Sequence, residues 1–168
     1  KKIKTTKNTD WVKQRKQLGT AHAVKQALTF LRKGSVAVIL YGDVPLVSSA
    51  TLNKLISLAK NNNLALLTFN KDSPSGYGRI IRKGRNAIDQ IVEEKDASSS
   101  QREITEVNSG IMAIKSKSLS KLIPLVKNKN AAKEFYLTDI VELANINKIN
   151  VKALLLKDKT EVLGANNL

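Results

Sequence analysis

The chain has 168 residues, a formal net charge of +15 and 42% hydrophobic residues, which suits one domain with its own core. It has no cysteine and one histidine, so disulfides, thiolate metal sites, a cysteine nucleophile and a multi-histidine metal site are excluded. No apolar run approaches the ~20 residues that a membrane helix needs, and the basic, polar residues 1–10 are no secretory signal, so we expect no membrane partner.

The positive charge raises nucleic-acid binding as an alternative. The lysines, however, are spread between apolar residues along the whole chain, and one Trp, three Tyr and three Phe form no RNA-binding signature. A basic surface favours phosphate-bearing ligands in general. We therefore do not expect a nucleic-acid partner.

The first predicted elements are a helix and a strand. The apolar spacing predicts a helix over residues 20–33, with Thr20 as its N-cap and Gly34 as its stop. The continuous apolar run Val36–Leu40 then predicts a strand that is buried on both faces.

A second helix and three strands follow. Ser48 or Ser49 caps the helix, and Leu64–Phe69 predicts another buried strand. The segments Gly78–Arg82 and Ala87–Glu93 read as two strands joined by a tight turn, so they predict a β-hairpin.

The remaining elements complete an alternating pattern. They are a polar loop or short helix at 96–103, a strand at 107–114, helices at 119–126 and 135–146, and a strand at 151–156. Helices that alternate with apolar strands predict an α/β fold with a mixed, mostly parallel sheet, and the hairpin predicts a small antiparallel insertion.

Asp43 is the first candidate functional residue. It follows the predicted strand at 36–40 in the segment Tyr41-Gly42-Asp43. Ligands of open α/β sheets bind beyond the carboxyl ends of the strands, where a carboxylate suits a divalent cation. The alternative is an aspartate that caps a turn before Pro45.

Seven short motifs occur in order along the chain. They are Gln17–Ala23, Tyr41–Leu46, Gly76–Arg79, Ile91–Ala97, Glu106–Ile111, Glu134–Asp139 and Gly164–Asn167. Each one alone is weak evidence. Together, from about residue 14 to residue 168, their order and spacing resemble the sugar nucleotidyltransferases, and specifically the bacterial N-acetylglucosamine-1-phosphate uridylyltransferases.

The resemblance implies a fold and an activity. The fold is the Rossmann-like fold of nucleotide-diphospho-sugar transferases. The activity is transfer of a uridylyl group from UTP to N-acetylglucosamine-1-phosphate with Mg²⁺ as cofactor, giving UDP-N-acetylglucosamine and pyrophosphate. The implied setting is a cytoplasmic enzyme that supplies peptidoglycan and lipopolysaccharide precursors.

By this resemblance, Gln14, Gly19 and Thr20 belong to the segment that binds uracil. A glutamine amide offers a donor and an acceptor side by side, which suits an imide edge. A glycine lets the backbone approach the base closely. The alternative for Gln14 is an exposed helix residue.

The resemblance places other residues at the sugar. The matching positions are Tyr41, Gly78, Glu93, Asn108 and Thr138, with Gly42 beside Tyr41. A glutamate accepts hydrogen bonds from sugar hydroxyls, whereas an asparagine can both donate and accept. Arg79 is either a phosphate-side cation or a salt-bridge partner, and His22 is most simply a helix residue.

Asp43 and Asn166 match the pair that holds Mg²⁺ on the nucleotide phosphates. Both offer hard oxygen ligands, and two protein ligands leave room for phosphates and water. The alternative for Asn166 is an ordinary turn asparagine. Because the sugar phosphate is already anionic, we expect no protein base, and Asp43 and Asn166 are the expected catalytic residues.

Two features of the family are not found in these 168 residues. One is the Gly-rich loop that wraps the triphosphate, and the other is a C-terminal β-helix acetyltransferase domain. We therefore expect residues 1–168 to be part of a uridylyltransferase domain with very low turnover by itself, and the parent to form a homotrimer through that C-terminal domain. The alternatives are a nucleotidyltransferase for another sugar or base, and an inactive remnant that at most binds sugar nucleotide.

Overall fold

The computed structural model describes residues 9–44, 46–84 and 87–162. These residues form one mixed sheet with helices on both faces. Its strands are β1 Val36–Ile39, β2 Leu64–Asn70, β3 Arg79–Lys83, β4 Ala87–Val92, β5 Glu106–Lys115 and β6 Val151–Leu156. The α-helices are α1 Thr20–Ala27, α2 Ser49–Ala59, α3 Ser99–Arg102, α4 Ser116–Leu122 and α5 Ile140–Ile146, and short 3₁₀ turns follow α1 and α4 and precede α5.

The strand order is β4-β3-β5-β2-β6, and β1 also pairs with β5. The pairings give β1, β2, β3 and β6 one direction and β4 and β5 the other. The prediction of a mixed α/β sheet is confirmed, as is the β3–β4 hairpin. Only β2 and β6 are parallel neighbours, however, because the antiparallel β5 lies between β2 and both β1 and β3. Four of the six described strands thus run in one direction, and the antiparallel direction of β5 makes most neighbouring pairs antiparallel.

The prediction for Val36–Leu40 also needs a correction. The four residues of β1 are only half-buried, and Leu40 is exposed. Among the described residues, β1 pairs along one side only, with β5. Its apolar sequence therefore reflects contact with α1 on one face and with α2 on the other, at the margin of the sheet rather than at its centre.

The buried core lies in two layers, one on each face of the sheet. Because side chains alternate along a strand, Leu64 and Leu66 point to one layer and Ala65 and Leu67 point to the other. The first layer is covered by α1, α4 and α5, and the second by α2. In the described part of the chain, no helix is long and apolar enough to cross a membrane.

The helix termini follow local hydrogen bonding. Ser48 caps α2 by accepting from the Thr51 amide, as predicted. Thr20 does not cap α1, because its hydroxyl accepts from the backbone amide of Leu137 instead. Gly19 is the N-cap residue of α1, so the hydroxyl of Thr20 ties α1 to the turn that precedes α5.

Candidate active site

A polar cleft of ≈ 440 Å³ opens beyond the carboxyl ends of β1 and β6, over the middle of β5. The loop before β3 and the residue after β4 close its other side. It is lined by Tyr41, Asp43, Val44, Ser75, Gly76, Tyr77, Gly78, Glu93, Asn108, Ser109, Gly110 and Val162. Five predicted site residues are among them, namely Tyr41, Asp43, Gly78, Glu93 and Asn108. This position is the one at which open α/β sheets bind their ligands.

Tyr41 fits into the cleft because residue 110 is a glycine. A Cβ atom at Gly110 would lie 2.0 Å from the Tyr41 ring, and Gly110 has a φ of +81°. Burial raises the pKa of Tyr41, and the nearby carboxylates of Glu93 and Asp43 raise it further. The phenol is therefore protonated at neutral pH, and it can donate a hydrogen bond to a ligand.

Glu93 is a half-buried carboxylate of the cleft. The hydroxyl of Thr138 donates to its Oε1 at 2.8 Å, so Thr138, which is itself buried, holds Glu93 from behind. Burial raises the pKa of Glu93, the hydrogen bond from Thr138 lowers it, and the charge of Asp96 raises it. The orientation of Glu93 is thus fixed before any ligand enters.

Gly78 and Asn108 form the adjoining wall. A Cβ atom at Gly78 would lie 2.8 Å from Ile91 and 3.3 Å from the Glu93 carboxylate, so only glycine fits without a shift. The backbone N–H of Asn108 donates to the Gly78 carbonyl at 2.9 Å. The side-chain Oδ1 of Asn108 accepts from the Gly110 backbone amide at 3.1 Å. Among the described residues the side-chain Nδ2 of Asn108 has no hydrogen-bond partner, so its two N–H donors remain for a ligand.

The predicted uracil segment lies beside this cleft and does not line it. Gln14 is not a helix residue: its Nε2 donates to the Gly19 carbonyl at 3.1 Å and lies 3.0 Å from Nδ1 of His22. A Cβ atom at Gly19 would lie 2.6 Å from the Phe135 carbonyl oxygen, so glycine is required by packing. The Thr20 hydroxyl bonds to Leu137, as described above, and its hydrogen bond to Tyr41 lowers the pKa of that phenol.

Asp43 is exposed at the mouth of the cleft, and Gly42 beside it is also exposed. Its carboxylate is a hard oxygen ligand in a position that fits Mg²⁺, an ion that usually keeps several waters and takes few protein ligands. Asn166, its predicted partner, lies outside the described residues. Within the described ranges no group of three or more His, Asp or Glu side chains could hold a metal.

Two features of the cleft were missed by the sequence analysis. Gly110 was read only as part of a motif, although a glycine inside a buried strand is itself a signal of close approach by another group. Arg79, left between two roles, is almost fully buried, and it lies behind the cleft wall rather than in the cleft.

The fold is that of a nucleotidyltransferase. A crystal structure of a putative glucose-1-phosphate thymidylyltransferase from Bacillus anthracis, in complex with sucrose, matches with a TM-score of 0.63 over 87% of this chain and 58% of that chain. The two sequences are 17% identical, so this likeness concerns the fold alone.

The sequence comparison is more specific. The sequence profile of the nucleotidyl transferase family matches residues 1–160, and the chain therefore belongs to that family. Proteins named Bifunctional protein GlmU are 47% identical in Idiomarina loihiensis over 94% of this chain and 48% identical in Albidiferax ferrireducens over 94%. The chain spans only 34% of the length of either relative.

Proposed function

We propose that the protein containing this chain transfers a uridylyl group from UTP to N-acetylglucosamine-1-phosphate. The observation that carries the proposal is the cleft formed by Tyr41, Gly78, Glu93 and Asn108. These are residues that the resemblance assigned to the sugar, and the fold brings them together from four separate segments. The high identity to relatives that share a single name supports the same conclusion.

The cleft suits a neutral, hydroxyl-rich ligand. Glu93 offers carboxylate oxygens, Asn108 offers two amide donors, and Tyr41 offers a phenol. Sugars are bound by such fixed donors and acceptors around a ring. Gly78 also lines the cleft, and its backbone is the group that we propose contacts the acylamino group or a hydroxyl of the sugar.

On the nucleotide side, the amide of Gln14 is held by the contacts of its Nε2, which leaves Oε1 to accept from the imide N–H of uracil. The sugar-phosphate oxygen attacks the α-phosphorus of UTP, a new P–O bond forms, and the bond to pyrophosphate breaks. The nucleophile is already anionic, so the chain's task is alignment and charge neutralisation.

Asp43 and Asn166 are the proposed ligands of Mg²⁺, which when bound would neutralise phosphate charge. By the same resemblance, the product serves as a precursor of peptidoglycan and lipopolysaccharide in the cytoplasm.

The test is a coupled pyrophosphate-release assay on the longest encoded chain that carries these residues, with UTP, N-acetylglucosamine-1-phosphate and Mg²⁺. Turnover with this pair, at least tenfold above that with dTTP, GTP or glucose-1-phosphate, is the expected result. A higher rate with another nucleotide or sugar would replace the proposed substrates. No release with any pair, together with binding of UDP-N-acetylglucosamine, would identify an inactive remnant.

A further inference from the structure

One motif residue is not explained by the site described so far. Arg79, in the segment Gly76–Arg79, is 1% exposed, and a buried guanidinium needs partners for its donors. The preceding residue, Gly78, lines the cleft, whereas Arg79 itself does not. The position of Arg79 excludes the role of a cation that contacts phosphate from inside the cleft.

The guanidinium of Arg79 joins three segments of the cleft wall. It donates to the carbonyl of Tyr77 in the loop before β3. It donates to the carbonyl of Arg102 at the end of α3 from Nε at 3.3 Å and from Nη2 at 3.2 Å. It also pairs with the carboxylate of Glu94, just after β4, with Nη2 2.7 Å from Oε2.

Glu94 extends this network back to the same loop. Its Oε2 accepts from the backbone amide of Gly76 at 3.3 Å, and its Oε1 lies 3.7 Å from Nε of Arg102. The hydrogen bond from Arg79 is the main reason why the pKa of Glu94 is lowered. Glu94 is therefore a carboxylate at neutral pH, and it connects the loop at Gly76 with the guanidinium groups of Arg79 and Arg102.

The two charged partners at the centre of the network, Arg79 and Glu94, are each next to a residue that faces the cleft. Arg79 follows Gly78, Glu94 follows Glu93, and β3 and β4 are in register here, with Arg79 opposite Val92. We therefore expect a displacement of the guanidinium to move the backbone of Gly78 and the backbone of Glu93 together. Among the described residues, Arg79 and Glu94 form their hydrogen bonds and ion pairs with this wall and none with Asp43 or the uracil segment.

We propose that Arg79 is a positioning residue for the sugar half of the site, acting through Glu94 to hold residues 76–78 and Glu93 in place. The inference rests on the proposed function, because the proposed function places the sugar phosphate against residues 76–78 and Glu93. A lysine cannot replace this arginine, since one ammonium cannot reach three segments with the fixed geometry of a guanidinium. A displacement of about 1 Å at such a wall costs up to roughly 10²-fold in rate.

The experiment compares Arg79→Lys with Arg82→Lys on the longest encoded chain. Arg82 is a matched control, because it lies on the same strand and forms an ion pair of 2.7 Å with Glu106. In Arg79→Lys we expect the KM for N-acetylglucosamine-1-phosphate to rise about 10- to 100-fold, with the KM for UTP within about twofold of wild type. In Arg82→Lys both KM values should stay near wild type, although thermal stability falls.

A second readout does not need turnover. Hydrogen exchange at the amides of residues 76–78 should speed up in Arg79→Lys and in Glu94→Gln, and it should stay unchanged in Arg82→Lys. Equal changes in both KM values, or exchange that is the same in Arg79→Lys and Arg82→Lys, would overturn the inference. A wild-type chain without turnover but with the expected exchange pattern would overturn the proposed function and leave the network in place.

Discussion

The two sides of the candidate site differ in how firmly the fold holds them. On the sugar side, Thr138 and Asn108 are 3% and 8% exposed, and each makes a hydrogen bond to another segment of the cleft. On the nucleotide side, Leu40 and Leu46 flank Asp43 at 47% and 48% exposure, and Asp43 itself is exposed. The sugar wall, formed by Gly78, Glu93, Asn108 and Thr138, is thus preorganised, whereas the surface around Asp43 is open to further ligand or protein groups.

This difference has a consequence for mutations. Changes in the sugar wall should alter both local packing and sugar binding, because the same hydrogen bonds serve both. Changes at Asp43 should alter chemistry and leave the fold intact. The following predictions test this contrast, and they run from the largest expected effect to the smallest.

Asp43→Ala should reduce turnover by at least ~10²–10³-fold, the usual cost of losing one stabilising group around a transferring phosphate. Binding of UDP-N-acetylglucosamine should be largely retained, since the sugar contacts come from other residues. The measurements are pyrophosphate release against Mg²⁺ concentration and calorimetric binding. Asp72→Ala is the control, because the Asp72 side chain is 99% exposed, lies outside the cleft lining and pairs at 3.6 Å with the ammonium of Lys159. Turnover of Asp43→Ala near that of the control would remove Asp43 from the metal site.

Thr138→Val should raise the KM for the sugar phosphate about tenfold, because it leaves the half-buried carboxylate of Glu93 without the hydroxyl that donates to it. It should also raise the pKa of Glu93, so the loss of sugar binding on acidification should begin at a higher pH than in wild type. Thr68→Val is a matched control: its buried hydroxyl donates to Glu106 at 2.9 Å, outside the cleft. A similar KM for both variants would mean that Glu93 does not bind sugar.

Gly110→Ala should destabilise the protein by about 1–3 kcal/mol more than Gly34→Ala. Both glycines have positive φ, of +81° and +77°, so both substitutions strain the backbone. Only at Gly110 does the new methyl group meet another residue, the ring of Tyr41. Chemical denaturation measures the difference. Equal losses would show that Tyr41 does not depend on the space at Gly110.

Asp139→Asn should stabilise the protein at pH 7 by about 1 kcal/mol and have no effect near pH 3. Burial raises the pKa of Asp139 to about 6, and Glu142, Glu93 and Asp96 add to the rise. A raised pKa means that the folded state binds the proton more tightly, so wild-type stability falls as pH rises from about 4 to 6. Because Asp139 is only half-buried, solvent screening limits the effect. Denaturation of both proteins across this pH range provides the test, and parallel curves would contradict it.

Much of the fold could be predicted from the sequence, because apolar periodicity and turn residues are local signals. The hairpin and the strand at 151–156 were placed within a residue or two for this reason. The antiparallel direction of β5 was not predicted, since the direction of a strand depends on partners far away in sequence. Thr20 was misplaced as a helix cap for a similar reason, because its partner Leu137 lies 117 residues away.

The site shows the same limit. The motif series indicated Glu93 and Thr138, but it could not show that one holds the other, which is a property of two side chains 45 residues apart. It also left Arg79 between two roles, because burial alone decides between them. The predicted roles of Gln14, Gly19, Asp43 and Asn166 stay predictions, and Asn166 lies outside the described residues.

The central claim is that the cleft at Glu93 and Asn108 binds the sugar end of a sugar nucleotide. The most direct measurement is calorimetric titration of UDP-N-acetylglucosamine and of UMP into wild type and Asn108→Ala. The account predicts that Asn108→Ala weakens UDP-N-acetylglucosamine at least about tenfold, since two amide donors are lost, and leaves the affinity for UMP unchanged. Equal affinity of both proteins for UDP-N-acetylglucosamine, or an equal loss for both ligands, would contradict it.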